Sequence, residues 1–186
     1  MPALPLPDPP LTDGVVLLRP RRAGDIPQRF RAFADPLCLR FSWPLTEPLT
    51  ERHVRERFVQ EEPARLRGEE VCLAVVDARE TGRIWGGASV YDTVRSEGRL
   101  GVGYWLAPEA RGRGNATRTL RLLAGWAFDC LAVQRLELTC APDNTASQQV
   151  ARRCGFLREG VLRSHIPFRD GRRDTVLFGL LPGELV

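Results

Sequence analysis

Residues 101–116 read GVGYWLAPEARGRGNA, a stretch that changes from strand to loop to helix. The apolar residues Val102–Leu106 predict a strand, residues 111–114 form a basic glycine loop, and a helix is predicted from Asn115. Glycines let backbone N–H groups approach an oxygen closely. The first N–H groups of a helix lack internal partners, and its dipole favours negative charge. The stretch therefore predicts a site for a phosphate or pyrophosphate.

Two common phosphate-binding patterns do not match this loop. The nucleoside-triphosphate loop requires Gly-Lys-Ser/Thr, and the chain contains no lysine. The dinucleotide pattern requires a third glycine, but Thr117 stands where it would follow Gly112 and Gly114.

Further motifs follow downstream. Residues 135–147, RLELTCAPDNTAS, predict a strand that leads through Asn-x-x-Ser into a short helix. That helix ends at Gly155, where Gly-Phe enters another strand, and residues 168–178, FRDGRRDTVLF, predict a closing hairpin.

The spacing Arg111-x-x-Gly114-x-Ala116 resembles the acyl-CoA pyrophosphate loop of the GCN5-related N-acetyltransferase (GNAT) superfamily. Together with the downstream motifs, it resembles the ribosomal-protein-alanine N-acetyltransferase-like branch. The resemblance is detailed over residues 99–181 and rests on element order alone over residues 13–98. It implies an α+β fold with a mixed, mostly antiparallel sheet of six to seven strands and four helices. It also implies transfer of an acetyl group from acetyl-CoA to a primary amine by direct attack in a ternary complex.

Topology supports the position of the ligand site. Strands predicted at residues 100–106 and 136–140 flank a helix, so a right-handed crossover makes them parallel. Ligands of such units bind at the carboxyl ends of the strands, where the glycine loop also lies.

Composition limits the class of protein. The chain has 186 residues, a net charge of +4 and 43% hydrophobic residues, and we expect a Pro-rich, loose leader at 1–12 and a single domain at 13–186. No apolar run is long enough for a membrane span, and the Pro-rich start lacks the features of a signal peptide. We therefore expect a cytoplasmic protein that does not bind a membrane. The arginines are scattered along the chain, so we also expect no binding of nucleic acid. The five cysteines are odd in number and form no Cys-x-x-Cys pattern, and there are only two histidines. We therefore expect neither a metal site nor a disulfide framework.

The resemblance implies a set of cofactor-binding residues. Backbone groups of the loop and helix start would hold the pyrophosphate, the strand edge would pair with pantetheine, and an arginine (Arg111, Arg113 or Arg118) would reach the 3′-phosphate. The complete set is Trp105, Leu106, Ala107, Arg111, Gly112, Arg113, Gly114, Asn115, Ala116, Thr117 and Asn144.

Three residues are candidates for the chemistry. Ser147 is the candidate acid for the leaving thiolate, and Asn144 is the candidate ligand of the pantetheine amide; each also fits a plain capping role. Relatives can carry an acidic base where this chain has Gly101 or Ile166. His165 is therefore the candidate base.

Alternatives to this base remain open. His53 and Asp92 are weaker candidates, and an acceptor amine of low pKa needs no base.

The acceptor is either a small-molecule amine or a protein N-terminus, and both a monomer and a homodimer fit the sequence. The alternatives to acetyl transfer are a non-catalytic acyl-CoA-binding sensor and the transfer of another acyl group such as succinyl.

Overall fold

The computed structural model describes residues 2–44 and 47–186. Within them the chain forms eight strands and five α-helices. The strands are β1 (Leu11–Thr12), β2 (Val16–Pro20), β3 (Val71–Asp77), β4 (Ile84–Val94), β5 (Arg99–Leu106), β6 (Arg135–Cys140), β7 (Leu157–Phe168) and β8 (Gly171–Leu180). The helices are α1 (Ile26–Phe33), α2 (Pro36–Ser42), α3 (Glu51–Leu66), α4 (Asn115–Leu131) and α5 (Thr145–Arg153). None of these helices is long and apolar enough to span a lipid bilayer.

The predicted α+β class and mixed sheet are confirmed, but the predicted element counts are too low. The sequence does not predict the short strand β1, and α2 lies where the prolines predict a connection. Asp35 explains α2, because its carboxylate accepts hydrogen bonds from the N–H groups of Leu37 and Cys38, both at 3.1 Å. Pro36 occupies the first helical position, where a missing N–H removes no helical hydrogen bond.

The strands form one sheet in the order β1-β2-β3-β4-β5-β6-β8-β7. Every neighbouring pair is antiparallel except β5 and β6. These two pair in parallel only from Arg99–Gly101 against Arg135–Glu137. Both strands continue beyond this register without pairing with each other, so a gap opens towards their carboxyl ends.

Helices cover the two faces of the sheet. On one face, α4 buries Leu120 and Leu123 in the main core, together with Leu100 and Val102 of β5. On the opposite face, Phe33 of α1 meets Trp105 edge to face, with ring centroids 5.2 Å apart. The β5–β6 gap therefore lies in a sheet that has helices on both of its faces.

The Pro-rich amino-terminal segment is packed, whereas the sequence predicts a loose leader. Leu4 is buried in the main core, and its N–H donates to the carbonyl of Arg65 at 3.0 Å. Leu11 and Thr12 pair with β2. Burial of one leucine among the prolines is enough to fix this segment against α3.

Candidate active site

A cavity of about 380 Å³ lies where β5 and β6 separate. Its walls come from α2, the end of β5, the glycine loop, the start of α4 and α5. They include Cys38, Phe41, Tyr104, Leu106, Gly114, Thr117, Asn144, Ser147 and Val150. The cavity thus brings together the glycine loop and the Asn-x-x-Ser motif, as the sequence predicts.

The glycine loop presents backbone donors to this cavity. Gly112 and Gly114 have φ values of +71° and +78°, which side-chain-bearing residues rarely adopt. Asn115 is buried and donates from Nδ2 to the carbonyl of Ala110 at 3.1 Å, which fixes the loop. The first intrahelical bond of α4 runs from Arg118 N–H to Gly114 C=O, so the preceding N–H groups are available to an anion.

At the end of β5, fewer backbone N–H groups can bind the cofactor than the sequence predicts. The N–H of Ala107 donates to Trp85 C=O at 2.8 Å, so its donor is already used within the sheet. Because hydrogen-bonding direction alternates along a strand, Trp105 also faces β4, while Tyr104 and Leu106 face the gap. The carbonyl of Leu106 accepts from Arg111 at 2.8 Å, which leaves the Leu106 N–H as the donor.

The loop arginines differ in their partners. Arg111 pairs with Asp35 at 2.6 Å, and Arg118 pairs with Asp13 at 2.6 Å. Burial alone would raise the pKa of Asp35, but hydrogen bonds from Arg111 and from Cys38 N–H hold that pKa below its ordinary value. Among the described residues, the guanidinium groups of Arg113 and Arg153 have no ion pair or hydrogen bond. Arg111 therefore ties α2 to the end of β5. Arg153 lines the cavity, Arg113 lines the adjoining pocket that shares Gly114 and Arg153 with it, and both arginines are left for a phosphate.

Ser147 and Tyr104 form a polar pair inside the cavity. Their hydroxyl oxygens are 3.3 Å apart, with Tyr104 as the donor. Asn144 caps α5, because its Oδ1 accepts the Ser147 N–H at 3.1 Å. Burial raises the pKa of Tyr104 to about 12, and the hydrogen bond with Ser147 opposes this increase. Tyr104 therefore stays protonated at neutral pH and can donate a proton or a hydrogen bond.

The histidines lie outside this cavity. His165 is exposed on β7, with Nδ1 2.8 Å from Thr175 Oγ1. His53 belongs to the capping box of α3 with Thr50 and lies beside Trp43, with ring centroids 5.2 Å apart. Asp92 is exposed, at the irregular end of the β4–β5 pairing. None of these three side chains joins the Ser147–Tyr104 pair.

The sequence predicts that Tyr104 lies in the strand edge, but it does not predict a role for the Tyr104 hydroxyl in the site. The available signal is the strand period of two, which places Tyr104 on the same face as Leu100 and Val102, beneath α4. The contact with Ser147 joins positions far apart in the chain, so no local motif records it.

Comparisons with known proteins agree with this geometry. The family model for the acetyltransferase (GNAT) domain matches residues 16–157. The chain is 32% identical to YdaF of Bacillus subtilis over 103 residues, which is 55% of this chain and 56% of YdaF. It is 32% identical to the ribosomal-protein-serine acetyltransferase of Escherichia coli over 77 residues, which is 41% of this chain and 43% of that protein. The chain thus spans about half the length of these two curated relatives in the alignments.

A solved structure extends the likeness to the whole fold. RimJ of Mycobacterium smegmatis, in complex with CoA-disulfide, superposes with a TM-score of 0.81 at 26% identity. The match covers 94% of this chain and 87% of RimJ. The chain therefore belongs to the acetyltransferase (GNAT) domain family.

Proposed function

We propose that this protein transfers the acetyl group of acetyl-CoA to the α-amino group of a protein N-terminus. The observation that carries the proposal is one cavity that combines the donor loop of α4 with the Tyr104–Ser147 pair at the mouth of the β5–β6 gap. The relative from E. coli supports a protein acceptor, because it is named for acetylating a ribosomal protein.

Cofactor binding in this proposal rests mainly on backbone donors. The N–H groups at the start of α4 hold the pyrophosphate, and the Leu106 N–H binds the pantetheine or the thioester oxygen. A fixed donor aimed at a developing oxyanion is worth about 3 kcal/mol in the transition state. Arg113 and Arg153 hold the 3′-phosphate, since Arg111 and Arg118 are already paired with carboxylates.

Ser147 supplies the proton for the leaving thiolate. The amine nitrogen attacks the thioester carbonyl, the carbon–nitrogen bond forms and the carbon–sulfur bond breaks. The Ser147 hydroxyl donates to the departing sulfur, and Tyr104, which donates to Ser147 Oγ, replaces that proton. The Tyr104 phenolate then regains a proton from solvent, and the proton that the amine loses leaves through water. Asn144 holds the Ser147 backbone in position through its cap.

The absence of an acidic side chain at Gly101 and Ile166 favours an α-amino acceptor. An α-amino group has a pKa of about 7.7–8.0, so about a tenth of it is neutral at pH 7. A lysine side chain has a pKa of about 10.4 and is almost entirely charged. An enzyme without a strong base near the thioester therefore acts best on an α-amine. His165, exposed on β7 outside the cavity, is the candidate that accepts the released proton through water.

The experiment is thiol release from acetyl-CoA with a panel of short peptides that have a free amino terminus. The matched controls are the same peptides with a blocked terminus and an internal lysine, together with free small amines. We expect turnover with free termini only. Thiol release with small amines alone would show that the acceptor is a small-molecule amine and not a protein N-terminus. Tight CoA binding without acceptor-dependent release would instead indicate a sensor.

Ser147→Ala tests the proposed acid. Because a thiolate is a fair leaving group, we expect turnover to fall about tenfold while CoA affinity stays unchanged. Tyr104→Phe should reduce turnover by a similar factor, and the double variant should lose little more, since both act on one proton. Wild-type turnover in Ser147→Ala would show that Ser147 belongs to the first turn of α5 and has no chemical role.

A further inference from the structure

The ring of Tyr91 occupies a trough in the sheet made by two glycines. Tyr91 of β4 pairs with Gly101 of β5. A Cβ added at Gly101 would lie 2.6 Å from Cε2 of the Tyr91 ring, and one at Gly103 would lie 3.1 Å from Cε1. Any side chain at position 101 would therefore displace the ring. The alternation of side chains places this trough on the face opposite α4.

The hydroxyl of Tyr91 ends in the gap between β5 and β6. It lies 3.4 Å from the carbonyl of Val102, the first β5 residue after the last β5–β6 pair. On the other side of the gap lies Thr139 of β6, whose hydroxyl is near enough to lower the pKa of Tyr91. Tyr104 and Ser147 approach the same gap from the α4 face, so the two tyrosine hydroxyls lie on opposite sides of it.

The chemical state of Tyr91 defines what it can bind. Burial raises the pKa of Tyr91 above its ordinary value, and the neighbouring Thr139 hydroxyl opposes this only in part. The phenol is therefore neutral at physiological pH. Its single proton faces the Val102 carbonyl, and its oxygen keeps acceptor capacity for an N–H group.

We propose that Tyr91 is an acceptor-binding residue whose hydroxyl oxygen accepts a hydrogen bond from the attacking amine. The inference rests on the proposed function, and it assigns the face of the sheet that carries α1 and α3 as the entrance for the amine. The cofactor occupies the opposite side, so donor and acceptor meet in the gap. Tyr91 keeps its own proton throughout; it orients the nitrogen lone pair towards the thioester carbonyl.

Tyr91→Phe tests this role, because it removes the hydroxyl and leaves the ring in its trough. One buried neutral hydrogen bond corresponds to a loss of about tenfold. We expect the KM for the peptide amine to rise by about that factor, with CoA affinity unchanged. Tyr104→Phe is the contrasting variant, since it should lower kcat without raising the KM of the amine.

A double-mutant cycle separates the hydroxyl from general packing. Gly101→Ala pushes the Tyr91 ring out of its trough and should raise the KM of the amine as Tyr91→Phe does. In the Tyr91→Phe background, Gly101→Ala should then add little, because the hydroxyl is already lost. Fully additive effects would mean that both variants act through packing and would overturn the inference.

A spectroscopic measurement gives an independent readout. The chain contains two tyrosines, so 3-fluorotyrosine labelling gives two fluorine resonances that Tyr91→Phe and Tyr104→Phe assign. In the CoA-bound protein, a peptide with a free amino terminus should shift the Tyr91 resonance, and the blocked peptide should not. Turnover with an unmoved Tyr91 resonance and a wild-type KM in Tyr91→Phe would refute this inference alone. A wild-type protein that neither binds CoA nor releases thiol would refute the proposed function as well.

Discussion

At the residue scale, the fold changes how readily the two tyrosines ionise. Burial raises the pKa of both, and that of Tyr104 reaches about 12. A group whose folded pKa lies above its unfolded pKa contributes stability below the unfolded value, which is about 10 for tyrosine. That contribution is lost as pH rises through the folded pKa.

The measurement is the ultraviolet absorbance of tyrosinate in an alkaline titration. We expect less than half of the phenol groups to be ionised at pH 10 in the folded protein. In denaturant, both should titrate together near pH 10, because the chain then exposes them equally. Tyr104→Phe should remove one of the two folded transitions, and an unshifted titration in the native protein would contradict the burial of both hydroxyls.

Gly114 provides a second prediction at this scale. Its φ of +78° is unfavourable for any residue with a Cβ, although the space beside it is open. Gly114→Ala should therefore strain the loop by about 1–2 kcal/mol and weaken CoA binding through the displaced N–H groups. Calorimetric titration with CoA measures the effect.

The matched control is Gly125→Ala, in the middle of α4. A Cβ there meets Leu185 at 3.7 Å, an ordinary contact, and alanine favours a helix over glycine. This variant should keep CoA affinity and gain stability. Equal CoA affinity in both variants would remove the glycine loop from the binding site.

At the scale of elements, α2 depends on one carboxylate. Asp35 caps the helix and pairs with Arg111, which also donates to the carbonyl of Leu106 at the end of β5. This network fixes α2 over the cavity. Sequence patterns predict a connection here, because a seven-residue helix flanked by prolines has little periodicity of its own.

Asp35→Asn separates the cap from the charge, because asparagine caps a helix as well as aspartate does. We expect the variant to lose about 1.5–3 kcal/mol of stability at pH 7, the usual value of a hydrogen bond to a charged group. The folded pKa of Asp35 is lowered, so its contribution is present above the unfolded pKa of about 3.9 and lost as pH falls through the folded value.

Chemical unfolding of both proteins between pH 7 and pH 3 checks this sign. The two free energies of unfolding should differ at pH 7 and converge at the acidic end. Asp35→Ala, which removes the cap as well, should stay less stable than wild type at every pH. A constant difference between wild type and Asp35→Asn would show that charge is not the cause.

The sequence predicts those parts of the candidate site that are formed by residues close together in the chain. The loop at 111–114 and the Asn144–Ser147 pair are local patterns, and the structure places both in one cavity. The bond between Tyr104 and Ser147 and the contact of Tyr91 with Gly101 join strands through tertiary packing. The choice of His165 rests on its chemistry alone, and the bulged β7–β8 hairpin keeps it bonded to Thr175 outside the cavity.

At the scale of the whole molecule, the gap leaves β5 and β6 without bonds to each other beyond Gly101 and Glu137. A ligand that fills the gap and binds the native state alone stabilises the protein by about 2.7 kcal/mol at a concentration of 100 times Kd. For a chain of this size, that corresponds to an increase in Tm of about 5–10 °C. The same argument predicts a much smaller increase with adenosine diphosphate at equal concentration, because it lacks the pantetheine that fills the gap. An equal increase with both ligands would mean that the loop alone carries the affinity.

Dephospho-CoA extends this prediction to the charged rim of the cavity. Arg113 and Arg153 are exposed, so each ion pair with the 3′-phosphate should contribute about 0.2–1 kcal/mol. Dephospho-CoA lacks both pairs and should therefore bind up to about 30-fold more weakly than CoA. In Arg113→Ala the difference between CoA and dephospho-CoA should shrink, whereas Arg158→Ala, an exposed arginine on β7, should keep it. Isothermal titration at low and high salt measures both effects, since screening weakens exposed ion pairs. An unchanged preference for CoA in Arg113→Ala and in Arg153→Ala would assign the 3′-phosphate to other residues, with Arg111 and Arg118 released from their carboxylates as the next to test.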